Sequence, residues 1–189
     1  MGFAIAEELA KHGAEVTLIC GHNLLETKHP DIKRIDIITA DEMYRQCIKY
    51  FKNSDIIVMA AAVADFKPAK AAKEKIKKDI HKKNIIEITP TKDILLELGK
   101  RKTDNQILVG FALETENEIR NAKKKLQNKN LDFVVLNSLK DKESGFGYDT
   151  NKITIINKEN KMKKFELMSK KNAAKEIVEH IISGGVSSN

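Results

Sequence analysis

An acidic residue follows a run of small residues at the end of an apolar segment. Residues 55–60 read Asp-Ile-Ile-Val-Met-Ala, and residues 61–64, which read Ala-Ala-Val-Ala, lead to Asp65. Because alanine side chains are short, a ligand can approach the backbone of this segment closely. The carboxylate of Asp65 has the chemistry to bind a metal ion or to accept a hydrogen bond from a ligand. A simple turn or helix cap is the alternative role for Asp65.

Lysine side chains are abundant, and many of them occur in short clusters. The chain has 34 Lys and Arg residues against 27 Asp and Glu residues, which gives a formal net charge of +7. We interpret most of these lysines as solvated surface charge. Nucleic-acid binding is a weaker interpretation, because the clusters have no interleaved aromatic residues and no recognition motif. A polyanionic small molecule would need only a few of these lysines.

The apolar residues alternate between helical and strand spacing along the chain. This pattern predicts helices at residues 2–12, 40–51, 93–100 and 116–129 and a last helix around residues 174–181. It predicts strands at residues 15–20, 34–38, 55–60, 85–88, 106–111 and 131–136, and a hairpin formed by residues 152–157 and 163–167. The continuous apolar run at 55–60 is typical of a buried parallel strand. Residues 67–84 are polar and lysine-rich, which predicts a mobile loop.

Strands that alternate with helices predict an α/β fold with a doubly wound, mostly parallel, Rossmann-like sheet and a C-terminal antiparallel hairpin. Ligands bind beyond the carboxyl ends of the strands in such sheets. The candidate binding regions are therefore residues 60–65, residues 111–115 and the chain from Asn137 onward. The chain has no complete G-x-G-x-x-G motif, so an NAD(P) site has no sequence support.

The length and composition predict a single domain over residues 1–183 and a flexible tail over residues 184–189. No apolar run approaches the roughly 20 residues that span a bilayer, and no signal peptide precedes the first acidic residues. Cys20 and Cys47 are isolated cysteines, interpreted as small core residues of a protein in a reducing, cytoplasmic compartment. We expect no membrane partner.

Five short segments, taken in order, resemble one known family. They are Ala60–Phe66, Lys75–Lys78, Thr91–Leu95, Gly110–Thr115 and Lys125–Asp132, which leads to Asn137. Together they closely resemble the synthetase domain of bacterial phosphopantothenoylcysteine synthetase, a domain usually fused to a flavin-dependent decarboxylase. Each segment alone is a weak signal, whereas five in order at compatible spacing are specific. The similarity extends over essentially the whole chain.

The resemblance implies a ligase of coenzyme A biosynthesis that works in two steps. The carboxylate of 4'-phosphopantothenate would attack the α-phosphorus of CTP and form an acyl-cytidylate and pyrophosphate. The amine of cysteine would then displace CMP and form an amide. Negative charge grows on the triphosphate in the first step, so cationic donors and Mg²⁺ are needed to stabilise it.

The resemblance also implies roles for individual residues. Lys75 would be the catalytic lysine, and Asp65 would face the nucleotide or its Mg²⁺ ion. Lys125 and Lys129 are four residues apart, so they share one helix face that suits a common anionic ligand. The predicted CTP-binding residues are Met59, Ala60, Ala61, Asp65, Lys75, Lys92, Asp93, Ile94, Leu95, Phe111, Lys125 and Lys129. Core packing for Phe111 and solvent exposure for the two helix lysines are the alternatives.

The chain departs from the family pattern in two places. The family begins with a strand and a substrate-binding loop, and only the final Met-Gly of that loop corresponds to this chain, as Met1 and Gly2. A misplaced start, a remnant that no longer catalyses and a strand supplied by another chain are three explanations, of which we favour the first. The second departure is Lys92, where the family usually has proline.

Other functions and partners follow as expectations. A nucleotide-binding module without catalysis is the first alternative, and an inactive truncated member of the same family is its specific form. Lys75 discriminates between the ligase and a module that only binds nucleotide, because simple binding does not require this lysine. The resemblance implies a homodimer, with the hairpin at residues 152–167 as the candidate interface. It also implies a phosphopantothenoylcysteine decarboxylase as a partner or fused domain.

Overall fold

A computed structural model describes residues 1–70, 72, 74–75, 85–114, 116–138 and 148–185. Its helices are α1 (Gly2–Lys11), α2 (Ala40–Phe51), α3 (Ile94–Arg101), α4 (Glu118–Asn128) and α5 (Lys170–Gly185). The first strands are β1 (Val16–Gly21), β2 (Ile32–Ile37), β3 (Ile56–Met59), β4 (Phe66–Pro68), β5 (Ile88–Pro90) and β6 (Ile107–Glu114). The later strands are β7 (Phe133–Ser138), β8 (Thr150–Asn151), β9 (Ile153–Asn157), β10 (Met162–Lys164) and β11 (Met168–Ser169).

The main sheet has five strands in the order β10-β9-β7-β6-β3. β3, β6 and β7 are parallel, whereas β9 and β10 are antiparallel to their neighbours. Helices connect the parallel strands, as the alternating pattern predicts. The doubly wound α/β sheet and the late antiparallel hairpin are therefore confirmed. Helix α5 extends to Gly185, and residues 186–189 of the predicted tail lie outside the described residues.

Two apolar cores lie on opposite faces of this sheet. Consecutive residues of β7 alternate between them, so Val134 packs with α3 and α4 while Val135 packs with α1 and α5. Both valines are fully buried. Cys20 is buried and Cys47 packs against the first core, which confirms their interpretation as core residues. None of the helices in the described ranges is long and apolar enough to cross a membrane.

β1 and β2 form a separate parallel pair. Ile19 of β1 nevertheless packs on the same core as Ile57 of β3, and Gly2 at the start of α1 lies close to Ala60 just after β3. In the part of the chain that the structure describes, β3 pairs only with β6. The β1–β2 pair and the main sheet therefore share one core, with no pairing between β1 and β3 in the described residues.

β3, which has one unpaired edge in the described residues, is less buried than the strands inside the sheet. Residues 55–60 are expected to form a buried strand, but every residue of β3 is only partly buried. β7, which is paired on both edges, contains fully buried residues. The expectation was wrong because an apolar run does not reveal whether both of its neighbours are present.

The predicted loop at residues 67–84 is wrong at its start. Lys67 and Pro68 belong to β4, which pairs antiparallel with β5 as a two-stranded ribbon. Residues 71, 73 and 76–84 lie outside the described residues. The sequence did not indicate this pairing, because the segment is polar and each strand has only three residues.

Candidate functional site

A small cleft of about 150 Å³ lies at the carboxyl ends of β3 and β6. This is the sheet edge at which ligands bind in doubly wound folds. The cleft is lined by Met59, Ala61, Val63, Ala64, Asp65, Thr91, Lys92, Asp93, Ile94, Leu95, Phe111, Lys125 and Lys129. Ten of the twelve predicted CTP-binding residues are in this list, so the fold brings together four segments that are far apart in the sequence.

Thr91 is a cleft residue that the sequence did not single out. Its hydroxyl donates a hydrogen bond to the carbonyl oxygen of Ala64 at 2.6 Å, and its backbone N–H donates to the carbonyl oxygen of Asp65 at 2.8 Å. These bonds fix the backbone that carries Asp65. Thr91 belongs to one of the segments that resemble the family. Its hydrogen bonds to the segment before β4 could not be predicted, because they depend on the contact of two segments that are remote in the sequence.

Asp93 connects the two helices that border the cleft. One carboxylate oxygen accepts a hydrogen bond from the Leu96 N–H at 3.0 Å and caps α3. The other forms an ion pair with the Lys129 ammonium, at 2.8 Å from Nζ. Burial raises the pKa of the Asp93 carboxyl, but the bonds from Lys129 and Leu96 lower it more, so the net pKa lies below the ordinary value.

Close backbone packing allows this ion pair to form. A Cβ atom on Gly99 of α3 would lie 1.9 Å from the carbonyl oxygen of Lys129. The side-chain amide of Asn130 also donates to the carbonyl oxygen of Gly99 at 2.9 Å. The absence of a side chain at Gly99 therefore lets α3 reach the end of α4, which places Asp93 and Lys129 within contact distance.

Lys125 places a cation in the wall of the cleft. Its ammonium donates to the carbonyl oxygen of Phe111 at 2.6 Å. Desolvation by burial, followed by repulsion from Lys129, lowers the pKa of Lys125 below that of a free lysine. A partly desolvated ammonium next to a second lysine gains stabilisation when an anion enters. Phe111 both lines the cleft and packs against the core under α1 and α5.

Two predicted residues do not line the cleft. Ala60 lies between Met59 and Ala61 and faces the start of α1 instead. Lys75 is exposed on the segment between β4 and β5. Lys77 and Lys78, which the sequence places in the same basic motif, fall in the range 76–84 that the structure does not describe.

The carboxylates of the cleft would suit a Mg²⁺ ion only if a ligand supplied most of its coordination. Within the described ranges, no group of three or more His, Cys, Asp or Glu side chains is placed to share a metal ion. Both carboxylate oxygens of Asp93 are already used, so Asp65 is the cleft carboxylate left for a cation. Mg²⁺ commonly takes one or two carboxylates and completes its coordination with phosphate oxygens and water.

A larger depression, of about 490 Å³, lies at the opposite edge of the sheet, where β3 and β6 begin. Its buried polar side chain, Gln106, is used by the fold: the amide donates to the carbonyl oxygens of Phe51 and Ser54, both at 2.8 Å. The amide oxygen accepts from the Thr103 N–H at 3.2 Å. We therefore place the candidate site at the smaller cleft, where ten of the residues predicted from the sequence converge.

Known proteins resemble the chain over most of its length. The family described as DNA/pantothenate metabolism flavoprotein C-terminal domain matches residues 1–184. A prokaryotic protein named cysteine/cysteine sulfinic acid decarboxylase is 49% identical over 97% of this chain and 51% of its own length. The coenzyme A biosynthesis bifunctional protein CoaBC of Borreliella burgdorferi is 42% identical over 94% of this chain and 44% of its own length. The CoaBC protein of Bacillus subtilis is 40% identical over 96% of this chain and 44% of its own length.

Solved structures show the same fold. The C-terminal domain of a coenzyme A biosynthesis bifunctional protein CoaBC superposes with a TM-score of 0.79 at 32% identity, covering 96% of this chain and 80% of that domain. A DNA/pantothenate metabolism flavoprotein from Streptococcus pneumoniae gives a TM-score of 0.78 at 18% identity, with 96% and 86% coverage, and supports the fold alone. The chain spans about half the length of the curated relatives it matches. It belongs to the DNA/pantothenate metabolism flavoprotein C-terminal domain family.

Proposed function

We propose that this chain carries the ligase function of coenzyme A biosynthesis, joining 4'-phosphopantothenate to L-cysteine with CTP as co-substrate. The observation that carries the proposal is the cleft at the carboxyl ends of β3 and β6, which gathers ten of the predicted nucleotide-binding residues. The family match and the coenzyme A biosynthesis proteins among the relatives support the same pathway.

The proposed reaction has two balanced displacements. A carboxylate oxygen of phosphopantothenate forms a bond to the α-phosphorus of CTP while the bond from that phosphorus to the bridging oxygen breaks and pyrophosphate leaves. The cysteine nitrogen then bonds to the acyl carbon, the bond to the phosphate oxygen breaks and CMP leaves. The amine gives up its proton to solvent or a base. The first step converts a poor acyl donor into a good one.

The cleft residues have complementary tasks in this proposal. Lys125 and Lys129 bind phosphate oxygens, and the bonds from Thr91 hold the Asp65 segment in place. Small side chains at Ala61 and Ala64 let the nucleotide approach the backbone. Mg²⁺, when bound with the nucleotide, would supply charge neutralisation for the triphosphate, with Asp65 as its protein ligand. Asp93 keeps the Lys129 ammonium in place.

We retain Lys75 as the proposed catalytic lysine. It lies between β4 and β5. The two strands of this ribbon are joined to the cleft at the same end, since Asp65 precedes β4 and Thr91 follows β5. Lys75 would place its ammonium on the phosphate under attack, as the family resemblance implies. Lys75→Ala is expected to abolish turnover while leaving CTP binding largely intact, and equal loss of both would remove Lys75 from a purely catalytic role.

A homodimer is part of the proposal, and the ribbon supports it better than the late hairpin. Four large apolar side chains on or beside the ribbon are highly exposed, namely Phe66, Ile85, Ile86 and Ile88. The side chains of two copies would bury on the order of 800 Å² in total, less than the roughly 1,000 Å² of a specific interface, so neighbouring residues must add to the contact. Ile85→Glu with Ile86→Glu should yield monomers in sedimentation, while Met162→Glu in the late hairpin should not.

One structural observation favours a second candidate, a family member that binds nucleotide without turnover. β3, whose end forms part of the cleft, pairs on only one edge in the described residues. A site built on a half-exposed strand can bind a ligand and still position it too loosely for chemistry. The decarboxylase name of one relative refers to a protein of which this chain covers 51%, so we do not propose decarboxylation here.

A turnover assay decides between the two candidates. The chain is incubated with phosphopantothenate, cysteine, CTP and Mg²⁺, and the amide product, CMP and pyrophosphate are quantified by mass spectrometry and coupled assay. The ligase proposal requires all three products in equal amounts and none of the amide without CTP. A separate titration measures CTP binding. Binding of CTP without any product would favour the second candidate, and neither binding nor product would contradict the proposed function.

A further inference from the structure

Three lysines line the cleft, and they differ in how their charge is balanced. Lys129 is paired with the Asp93 carboxylate. Lys125 contacts a backbone carbonyl oxygen, and the Lys92 ammonium lies 4.1 Å from the centroid of the Tyr44 ring. Neither Lys92 nor Lys125 forms an ion pair with a carboxylate in the described parts of the chain. The cleft therefore has two cations whose charge remains available to an anionic ligand.

The surroundings of Lys92 keep its charge available. The nearest acidic group on α2, Asp41, is already hydrogen-bonded and ion-paired with Lys67 of β4. Lys92 acts on Asp41 as a weaker electrostatic neighbour behind Lys67. The Tyr44 ring is partly buried against the first core, so it offers a fixed face to the ammonium. A cation–π contact of this kind restrains a lysine without neutralising it.

We propose that Lys92 is a specificity-determining residue that favours nucleoside triphosphates over monophosphates, and that Tyr44 positions its ammonium at the cleft. This inference rests on the proposed function, because it assumes a nucleotide in the cleft. Each additional phosphate adds negative charge that a further cation can bind, whereas the nucleoside and first phosphate do not require it. Lys92 stands where the family pattern has proline, so this cation distinguishes the chain from that pattern.

The test compares CTP and CMP binding by calorimetry at low ionic strength with Mg²⁺. Lys92→Gln should weaken CTP binding by roughly three- to tenfold and CMP binding by less than about twofold. Lys92→Pro, which restores the family residue, should behave in the same way. The salt dependence of CTP binding should become shallower in both variants, because one exposed charge–charge contact is lost.

Tyr44 is tested by the same affinity ratio. Tyr44→Leu removes the ring and should reduce the preference for CTP over CMP, whereas Tyr44→Phe retains the ring and should preserve it. A purely structural role would predict that Tyr44→Leu weakens both ligands equally. The matched control is Lys124→Gln, the same change at an exposed lysine of α4 that does not line the cleft. Its CTP to CMP ratio should equal that of the unchanged chain.

Two negative results have different meanings. If the unchanged chain binds CTP and Lys92→Gln leaves the CTP to CMP ratio unaltered, the inference about Lys92 is wrong and the proposed function stands. If the unchanged chain binds neither nucleotide, the proposed function fails, and the inference fails with it. Unfolding midpoints of the Lys92 and Lys124 variants should match that of the unchanged chain because both side chains are exposed, which excludes misfolding as the cause of a changed ratio.

Discussion

The carboxylate of Asp93 bridges two helices: it caps α3 through the Leu96 N–H and forms an ion pair with Lys129 at the end of α4. One side chain thereby couples the stability of α3 to the position of a cleft cation. Stability and ligand binding are expected to separate in variants that remove only one of these two contacts.

Asp93→Asn should keep the cap and lose the ion pair, because asparagine is also a good N-cap residue. Asp93→Ala should lose both and cost about 1–2 kcal/mol of unfolding free energy, against less than about 1 kcal/mol for Asp93→Asn. Urea unfolding monitored by circular dichroism measures the difference. Equal destabilisation by the two substitutions would contradict the capping role of the Asp93 side chain.

The same carboxylate should make stability depend on pH. Its folded-state pKa lies below the ordinary value, so its contribution is fully present above the unfolded-state pKa of about 3.9. That contribution is lost as the pH falls from this value toward the lower, folded-state pKa. The stability gap between the unchanged chain and Asp93→Asn should therefore shrink over this acidic range. A gap that stays constant through it would contradict the assignment.

Gly99 is expected to tolerate no side chain. Gly99→Ala would place a Cβ atom on the carbonyl oxygen of Lys129, so α3 and the end of α4 must separate. We expect a loss of about 1–3 kcal/mol in unfolding free energy and weaker nucleotide binding through displacement of Lys129. Gly21→Ala is the matched control, because a Cβ atom there would meet no atom within 4 Å. Similar behaviour of the two variants would argue against close contact at Gly99.

A buried ion pair away from the cleft should be important for stability alone. The Lys102 ammonium lies 2.7 Å from a carboxylate oxygen of Asp132, which also accepts the Leu108 N–H at 2.7 Å. Both side chains are at most 14% exposed, so Lys102→Met would leave a buried carboxylate without its cation. We expect a cost of about 3–5 kcal/mol.

The comparison for that variant is Lys100→Met, which breaks an exposed i,i+3 pair with Glu97 and should cost less than about 1 kcal/mol. Chemical denaturation of both variants gives the two values directly. A cost for Lys102→Met no larger than that of Lys100→Met would show that Asp132 is solvated in the folded protein.

The open edge of β3 should be visible in hydrogen exchange. β6 and β7 are each paired on both sides, whereas β3 and β1 have one paired edge in the described residues. Backbone amides of β1 and β3 should therefore exchange faster than those of β7, because the N–H groups on an unpaired edge have no strand partner and a strand held on one side opens more readily. Uniform protection across all four strands would contradict an open edge between β1 and β3.

The sequence predicted the fold class and the strand ends at which the cleft forms, because hydrophobic periodicity and the carboxyl-end rule are local and topological properties. It did not reveal that Thr91 braces the Asp65 segment or that Asp93 pairs with Lys129, since both contacts join segments remote in the chain. The burial of β3 was also mispredicted, because it depends on a neighbouring strand. Lys92 was predicted as a CTP-binding residue and noted as a departure from the family, whereas its contact with Tyr44 required the structure.

Calorimetric titration with CTP, ATP and NAD⁺ in the presence of Mg²⁺ tests the central claim, that the cleft is a CTP site, most directly. The account predicts tighter binding of CTP than of ATP, no binding of NAD⁺, and a loss of CTP affinity of roughly tenfold or more in Lys125→Gln and a clear loss in Asp65→Ala. Lys124→Gln, one residue from Lys125 but outside the cleft, should bind CTP as the unchanged chain does. NAD⁺ binding, or CTP affinity indifferent to Lys125, would contradict the assignment of this cleft as a CTP site.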